Sequence, residues 1–397
     1  MNTRLALALS TAALLTGCRS EPPTVSPPEP APSSPPLASS PTSRWALVEA
    51  LSHDRLAGRK PGTPESETAR RLITDALTRC GYEVTRQPTA GPGINLLARL
   101  PGPARARTLI LSAHYDHLGV VDGEVMNGAD DNAAAVGSVV EVACHISKIE
   151  TSAAPPQHTT DLLVALWDSE EPPFFLTPDM GSAYFAANPT VPLSRVDAVL
   201  VLDLVGQGLW PGFPAHVVLG AETSPELAKV VATTPAPPGL EVLEAGLHLV
   251  ERLVSNPDRV QPWSDYHAFR ERGVPVLFFS NGQGHHYHRP DDDFEKLDLD
   301  KLSRQTDWLK TLVLHLLVTP DKPVFAPNER LEVDHHAARR LVELALASGR
   351  DLFDRAPLEA DLARLATDKT PTSLRRAVQR VQCFASGHYP RALCARF

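Results

Sequence analysis

Residues 108–117 read TLILSAHYDH, and this stretch decides the fold. Thr108 to Ala113 is a continuous apolar run without polar alternation, which is typical of a strand buried on both faces of its sheet. His114 and Asp116 follow directly where this strand is expected to end. Open α/β sheets place their binding sites just beyond the carboxyl ends of such strands, so the stretch predicts a covered sheet with a polar site at its edge.

Helical patterns and further apolar runs alternate along the rest of the chain. Thr63 and Pro64 read as an N-cap and first residue of a helix, and Ala133 to Ile146 has helical spacing. Such helices would cover both faces of the sheet. We therefore predict an α/β fold: a three-layer α/β/α sandwich with a mixed, mostly parallel central sheet. Its further strands are expected at Tyr82–Thr85, Asn95–Leu100, Asp161–Trp167, Ala198–Leu204, Val217–Leu219 and Val274–Phe279.

Acidic and histidine residues follow several of these strands. Nitrogen and carboxylate oxygen donors without thiolate are the ligand set of catalytic zinc, whereas structural zinc favours cysteine-rich sites. A single His-x-Asp or Glu-Glu is weak support, but five such elements at strand ends indicate a catalytic metal site. They are His114 with Asp116, the loop from Asn127 to Asn132, Glu170 with Glu171, Asp203, and the run from His285 to His288.

From Leu51 to Leu302 the sequence resembles the two-zinc peptidase family that includes bacterial leucyl aminopeptidases, glutamate carboxypeptidase and glutaminyl cyclase. The resemblance rests on order and spacing across many short motifs rather than on one of them. The motifs are Leu56-Ala57-Gly58-Arg59, His114-Tyr115-Asp116-His117-Leu118-Gly119, Asn127 to Ala133, Glu170-Glu171 with Gly181-Ser182, Ser264-Asp265-Tyr266, and Tyr287-His288-Arg289-Pro290 with Asp292.

The resemblance implies two Zn²⁺ ions and a role for each site residue. One ion would be held by His114, Asp130 and Asp203, and the other by Asp130, Glu171 and His288, with Asp130 as the bridge. Two residues would serve catalysis without binding metal. Glu170 would be the general base, and Asp116 would accept the proton of the free ring nitrogen of His114.

Other residues of the same types are expected to have different roles. His285 and His286 precede His288, but only His288 has the Arg-Pro-x-Asp context. Hydrogen-bonding or capping roles are expected for His117, His267, Asp131 and Asp291 to Asp293. The sequence also departs from the family. Ala134 and Ala135 replace the usual Ser-Gly, and the loop Pro172 to Leu176 replaces a glycine-rich turn, which we expect to shape the specificity pocket.

The resemblance leaves the reaction open. The leading hypothesis is an aminopeptidase that removes N-terminal residues from peptides. A glutaminyl-peptide cyclase or a carboxypeptidase on the same fold is the alternative, because pocket contacts rather than the metal frame set the reaction. A non-catalytic binding domain is a third reading, which the retention of every expected ligand and of Glu170 disfavours.

The N-terminal segment predicts export. Residues 1–17 read as a lipoprotein signal peptide, with Arg4, an apolar stretch and then Leu15-Thr16-Gly17 before Cys18. The lipidated Cys18 would be the only membrane contact, facing the periplasm or cell exterior, and an ordinary secretory signal is the alternative. Residues 18–43 are a proline-rich tether. A zinc peptidase catalytic domain at 44–320 and a helical C-terminal extension at 321–397 would follow.

Composition limits the partners and suggests cross-links. The net charge of −9 and the lack of a Lys/Arg-rich run argue against a nucleic-acid partner, so a peptide substrate is expected. Disulfides persist in exported proteins. A local bridge is predicted between Cys383 and Cys394, whereas Cys80 and Cys144 are interpreted as buried thiols on helix faces.

Overall fold

A central sheet of eight strands forms the middle of the described structure. The computed structural model describes residues 44–100, 105–152, 160–253 and 256–397. The predictions of a signal peptide and a tether fall on residues 1–43, which lie outside the described residues. The strands of the sheet are β1 Glu83–Pro88, β2 Ile94–Arg99, β3 Arg107–His114, β6 Thr160–Trp167, β7 Val196–Leu202, β8 Ala215–Leu219, β9 Glu241–Ala245 and β12 Val276–Phe279, and two hairpins add β4 Gly119–Val121, β5 Glu124–Met126, β10 Arg252–Leu253 and β11 Asn256–Val260.

Helices lie on both faces of this sheet. Thr63 caps the second of them, since its side chain accepts a hydrogen bond from the N–H of Ser66, as the sequence predicts. The helices are α1 Ala46–Leu51, α2 Pro64–Arg79, α3 Ala134–Glu150, α4 Gly181–Ala187, α5 Pro225–Thr233, α6 Tyr266–Arg270, α7 Leu299–Val318, α8 Leu331–Ala347, α9 Arg355–Leu365, α10 Pro371–Ser386 and α11 Arg391–Cys394.

The strand order is β1-β2-β6-β3-β7-β12-β8-β9. Strand β3 lies between β6 and β7, and both neighbours run parallel to it. Strand β12 continues the parallel block beside β7, whereas β2 and β8 join it antiparallel. The carboxyl ends of β6, β3, β7 and β12 therefore meet at one edge of the sheet, and this edge carries the site.

The two faces of the sheet carry two separate cores, which confirms the three-layer prediction. Leu109 and Leu111 of β3 join a core with residues of α2, α3 and α7. Ile110, between them in sequence, joins a second core with residues of α4, α6, α8 and α10 on the other face. Successive side chains of a strand point to opposite faces, so the continuous apolar run seen in the sequence is needed to fill both cores.

The C-terminal helices share the second core, through residues such as Leu341 and Val381. Helix α8 packs against β9, and Arg340 of α8 binds Glu241 of β9 at 2.7 Å. This contact explains why the sequence did not predict β9. Its glutamates interrupt the apolar pattern, and their partners lie about 100 residues away in the chain.

Two disulfides join the four cysteines of the described residues. The bridge between Cys383 and Cys394 is the one predicted. The interpretation of Cys80 and Cys144 as buried thiols is wrong, because they are bonded to each other. Helices α2 and α3 pack side by side and bring the two Cα atoms to 5.1 Å, a distance that permits a disulfide. Among the described residues no helix has the length and apolar character needed to cross a bilayer.

Candidate active site

The site lies where the parallel strands end. His114 is the last residue of β3, and Asp203 follows β7 directly. Glu170 and Glu171 follow β6 after a two-residue turn, and His288 lies in the loop after β12. The structure thus brings together five of the residues that the sequence singled out, from four different strand ends. Asp131, from the loop before α3, completes the cluster.

Asp131 is the centre of this cluster. Its Oδ1 lies 3.3 Å from His114 Nε2, and its Oδ2 lies 3.2 Å from His288 Nε2. His114 Nε2 is also 3.5 Å from Asp203 Oδ1, and His288 Nε2 is 3.1 Å from Glu171 Oε2. The two carboxylate oxygens of Asp131 therefore face two separate groups of donors.

Asp130 does not occupy this position, which corrects the assignment of Asp130 as the bridging residue. Its Oδ1 accepts hydrogen bonds from the backbone N–H groups of Gly206 at 2.6 Å and Gln207 at 3.0 Å. These bonds direct the carboxylate toward the backbone of Gly206 and Gln207 and away from His114 and His288. The hydrogen-bonding role that was expected of Asp131 is instead that of Asp130, and Asp131 has the bridging position.

Two buried side chains hold the backbone of this loop. Arg59 is fully buried and donates to the carbonyls of Asn127 at 2.6 Å and Gly128 at 3.0 Å. Asp292 accepts from the N–H groups of Asp130 at 3.0 Å and Asp131 at 3.1 Å. Arg59 is the last residue of the Leu-Ala-Gly-Arg motif, and Asp292 is the last residue of the Arg-Pro-x-Asp motif. The presence of both motifs in one chain is the sequence signal that could have revealed their roles.

Asp116 contacts His114, its expected partner, through its main-chain carbonyl rather than through its carboxylate. His114 Nδ1 lies 3.2 Å from the backbone carbonyl of Asp116 and 3.7 Å from its carboxylate. The carboxylate of Asp116 accepts hydrogen bonds from the N–H groups of Glu170 at 3.0 Å and Glu171 at 3.2 Å. Asp116 thus positions His114 through its main chain and the two glutamates through its side chain, without facing the central cluster itself.

Glu170 and Glu171 diverge, as expected for neighbours on an extended segment. Glu171 Oε2 faces His288, and its Oε1 lies 2.7 Å from His117 Nδ1. Glu170 Oε2 is 3.9 Å from His114 Nε2. His117 therefore has the hydrogen-bonding role that was expected of it. Its partner is Glu171 Oε1, the oxygen that does not face His288.

The remaining histidines of the loop after β12 have other partners. His286 Nδ1 lies 2.8 Å from Asp291 Oδ2, and His285 lies beside the guanidinium of Arg289. Only His288 of this loop reaches the cluster. Tyr287 stacks on its ring with the centroids 3.9 Å apart.

Burial governs the charge states at the site. Burial, reinforced by the nearby carboxylate of Asp203, raises the pKa of Glu170 well above its usual range. Burial also raises the pKa of Asp203. Burial alone would raise the pKa of Glu171 as well, but the adjacent His288 and His117 lower it to about 2. Burial thus dominates the pKa of Glu170, whereas the histidines beside Glu171 outweigh it.

The cluster opens into a cavity of about 580 Å³ counting its mouth, here called the catalytic pocket. Its acidic wall consists of Asp131, Glu170, Glu171 and Asp203, and the described part of its lining includes neither lysine nor arginine. Apolar and neutral side chains complete the lining: Pro172, Phe175, Leu204, Gln261, Trp263, Phe278, Gln283 and Tyr287. The loop from Pro172 to Leu176 thus contributes Pro172 and Phe175 to this pocket.

These donors fit metal ions. His114 Nε2 and Asp203 Oδ1 are buried without a hydrogen-bond partner among the described residues, which is costly unless a cation satisfies them. Donors bound tetrahedrally at zinc distances stand roughly 3.3 Å apart, close to the separations found here. The compatible groups are His114 with Asp131 and Asp203, and His117 with Asp131 and Glu171, the latter beside His288.

Comparisons with known proteins agree with this fold. Protein YfbL of Escherichia coli strain K12, which is described as uncharacterized, is 28% identical over 265 residues, or 61% of this chain and 77% of that protein. The Legionella pneumophila LapA aminopeptidase superposes with a TM-score of 0.55 at 16% identity, covering 70% of this chain and 72% of that one.

The Porphyromonas gingivalis glutaminyl cyclase superposes with a TM-score of 0.55 at 20% identity, covering 69% of this chain and 97% of that one. At these identities the two solved structures establish a shared fold. The model of Peptidase family M28 matches residues 95–313, more than half of the 397 residues. That match spans β3, β6, β7 and β12 with the residues at their carboxyl ends, and the chain belongs to peptidase family M28.

Proposed function

We propose that this protein is a zinc-dependent aminopeptidase that hydrolyses the first peptide bond of substrates with a free N-terminus. The observation that carries the proposal is that neither lysine nor arginine is among the described side chains that line the catalytic pocket. A carboxypeptidase must bind a free carboxylate, for which a guanidinium or ammonium group is the usual partner. The described lining offers no such partner, and an aminopeptidase substrate, whose free end at the metal-binding residues is an amine, does not need one.

The donors divide into two sets around Asp131. His114 and Asp203 would hold one zinc ion with Asp131 Oδ1, and Glu171 and His288 would hold the second with Asp131 Oδ2. Zinc held by these residues would supply Lewis acidity for activating a water and for stabilising negative charge on the substrate. Each set of donors needs one carboxylate oxygen of Asp131, so the orientation of this side chain decides whether both zinc ions can be bound.

Glu170 moves the proton. Its carboxylate lies 3.9 Å from His114 Nε2, farther away than the carboxylates of Asp131 and Asp203, which leaves it free to act on water. It would accept a proton from the attacking water at its carboxylate and give it to the nitrogen of the departing amine. The carboxylate of Asp116 accepts hydrogen bonds from the backbone N–H groups of Glu170 and Glu171. These bonds fix the positions of the base and of the adjacent metal ligand relative to each other.

The test is a panel of substrates on the zinc-loaded protein. Aminoacyl anilides report aminopeptidase activity by release of the arylamine, N-terminal glutaminyl peptides report cyclisation by release of ammonia, and C-terminal glutamyl peptides report carboxypeptidase activity. We expect arylamine release that stops on chelation and returns with zinc, while circular dichroism shows most of the fold retained. Ammonia release without amide cleavage would identify a cyclase instead, and turnover that survives chelation would remove the metal mechanism.

We also propose that the protein is exported and anchored through a lipidated Cys18. The Cys80–Cys144 and Cys383–Cys394 disulfides support this, since disulfides persist mainly outside the cytoplasm. Labelling with a fatty acid tests it. The wild-type chain should take up label and fractionate with membranes, whereas a Cys18→Ser chain should do neither; equal labelling of both would rule the anchor out.

A further inference from the structure

A second pocket adjoins the catalytic pocket. It encloses about 620 Å³ counting the space at its mouth. The two pockets are neighbours, because five side chains line both of them: Phe175, Gln261, Trp263, Gln283 and Tyr287. A substrate held at the metal-binding residues would therefore lie next to the second pocket.

The far wall of this pocket comes from the C-terminal extension, so we call it the extension pocket. Helix α10 contributes Val378, Gln379 and Gln382, and Tyr389 follows the helix. The family match ends at residue 313, so this wall lies beyond it. Gln382 fixes the wall to the catalytic body, since its side-chain amide donates to the carbonyl of Gln283 at 2.6 Å.

A covalent bond also fixes this wall. The disulfide between Cys383 of α10 and Cys394 of α11 encloses the segment that carries Tyr389. Both cysteines are buried in the second core. The wall is therefore part of the packed structure, and its side chains are held in place before a substrate arrives.

The chemistry of the extension pocket differs from that of the catalytic pocket. Among the described side chains its lining contains no aspartate, glutamate, lysine, arginine or histidine, and its polar groups include the side-chain amides of Gln261, Gln283, Gln379 and Gln382. A charged side chain placed there would lose its hydration without gaining an ionic partner, which is strongly unfavourable. The pocket therefore selects against charged residues.

Gln379 supplies a specific polar group. It is 7% exposed, and its Nε2 has no hydrogen-bond acceptor among the described residues. A buried donor without an acceptor destabilises the protein, and a ligand that brings an acceptor removes this cost. The matching group on a peptide side chain is an uncharged carbonyl oxygen.

We propose that the extension pocket binds the side chain of the substrate's N-terminal residue and favours an uncharged side chain with a carbonyl, as in glutamine or asparagine, through a hydrogen bond from Gln379. This inference rests on the proposed aminopeptidase function. It assigns a specificity role to the C-terminal extension, which reaches the substrate through the wall that α10 forms.

The experiment compares glutaminyl, glutamyl, leucyl and lysyl anilides on the full chain. Glutaminyl and glutamyl side chains are nearly isosteric, so their ratio isolates the effect of charge. The wild-type protein should favour the glutaminyl substrate over the glutamyl one by at least about 100-fold in kcat/KM. Gln379→Met should lower kcat/KM for the glutaminyl substrate about 5- to 10-fold and change the leucyl value less than about twofold. Gln87→Met, a matched change on the edge strand β1, should alter neither.

A second variant gives a gain rather than a loss. Gln379→Glu places a carboxylate in the pocket, so the ratio of lysyl to glutaminyl turnover should rise at least about 10-fold. Equal losses on glutaminyl and leucyl substrates in Gln379→Met, an unchanged ratio in Gln379→Glu, or no discrimination against the glutamyl substrate by the wild-type protein would each overturn the assignment. Failure of the wild-type protein to release arylamine from any substrate would instead refute the proposed function.

Discussion

Asp130 and Asp131 are adjacent in the chain, but their carboxylates face different partners. Asp131 reaches His114 and His288, whereas Asp130 accepts hydrogen bonds from the backbone of Gly206 and Gln207. The direction of each side chain is set by the loop, which Arg59 and Asp292 hold from two sides. Asp131 is thus available to bind metal ions, whereas Asp130 stabilises the conformation of the loop.

This division predicts opposite behaviour for two matched variants. Asp131→Asn removes the charge that both donor sets share, so bound zinc should fall to one ion or fewer and kcat/KM should fall at least about 100-fold. Asp130→Asn keeps one acceptor oxygen, so it should retain both ions and lose only about 1 kcal/mol of unfolding free energy. Metal analysis and urea unfolding of both variants check this. Loss of metal from Asp130→Asn alone would restore Asp130 as the bridge.

Glu170 and Glu171 separate chemistry from metal binding. Glu170→Gln preserves size and hydrogen-bonding reach but cannot accept a proton, so kcat should fall by about 10²- to 10⁴-fold while zinc content stays at two. Glu171→Gln should lower zinc content toward one, because Glu171 faces His288. Steady-state kinetics and metal content are measured side by side. Near-wild-type turnover in Glu170→Gln would remove it as the base.

The two disulfides should differ in their contribution to stability. Cys80 and Cys144 are separated by 64 positions, and Cys383 and Cys394 by 11. The chain-entropy model assigns about 4 kcal/mol to the longer loop and about 3 kcal/mol to the shorter one. Urea unfolding of the two double Cys→Ser variants tests this order. A larger loss from the short loop would show that local packing, rather than loop closure, dominates.

His216 should make the fold sensitive to acid. Burial, with a smaller effect of Lys301, lowers the pKa of His216 from 6.5 to about 3, and its ring stacks on Phe279. The unfolded chain takes up a proton below pH 6.5 that the folded chain refuses. The stability from this residue is therefore complete above pH 6.5 and is lost as the pH falls, at about 1.4 kcal/mol per unit.

The measurement is urea unfolding at pH 6.5 and 4.5 in the presence of a chelator, which removes metal release as a contribution. The wild-type chain should lose about 2 to 3 kcal/mol more over this interval than His216→Gln. His336→Gln, at an exposed position of α8, is the matched control and should behave as the wild type does. Identical pH dependence in His216→Gln would show that other groups govern the acid response.

The sequence by itself determined the features that depend on local pattern. Apolar runs located the parallel strands, Thr63 located the start of α2, and the eleven-residue spacing of Cys383 and Cys394 was short enough to predict their bridge. The Arg-Pro-x-Asp context distinguished His288 from His285 and His286. In each case the signal and the structure it specifies lie within a few residues of each other, so neighbouring side chains and backbone geometry suffice.

Only the tertiary structure decided the features that depend on distant contacts. The bond between Cys80 and Cys144 requires α2 and α3 to pack side by side, and the glutamates that interrupt the apolar pattern of β9 bind Arg330 and Arg340 of the extension. The choice of Asp131 over Asp130 requires partners from four separate segments of the chain. Sequence spacing cannot encode which of two adjacent side chains a loop turns toward a site, because that direction is set by backbone dihedrals that remote residues such as Arg59 and Asp292 impose.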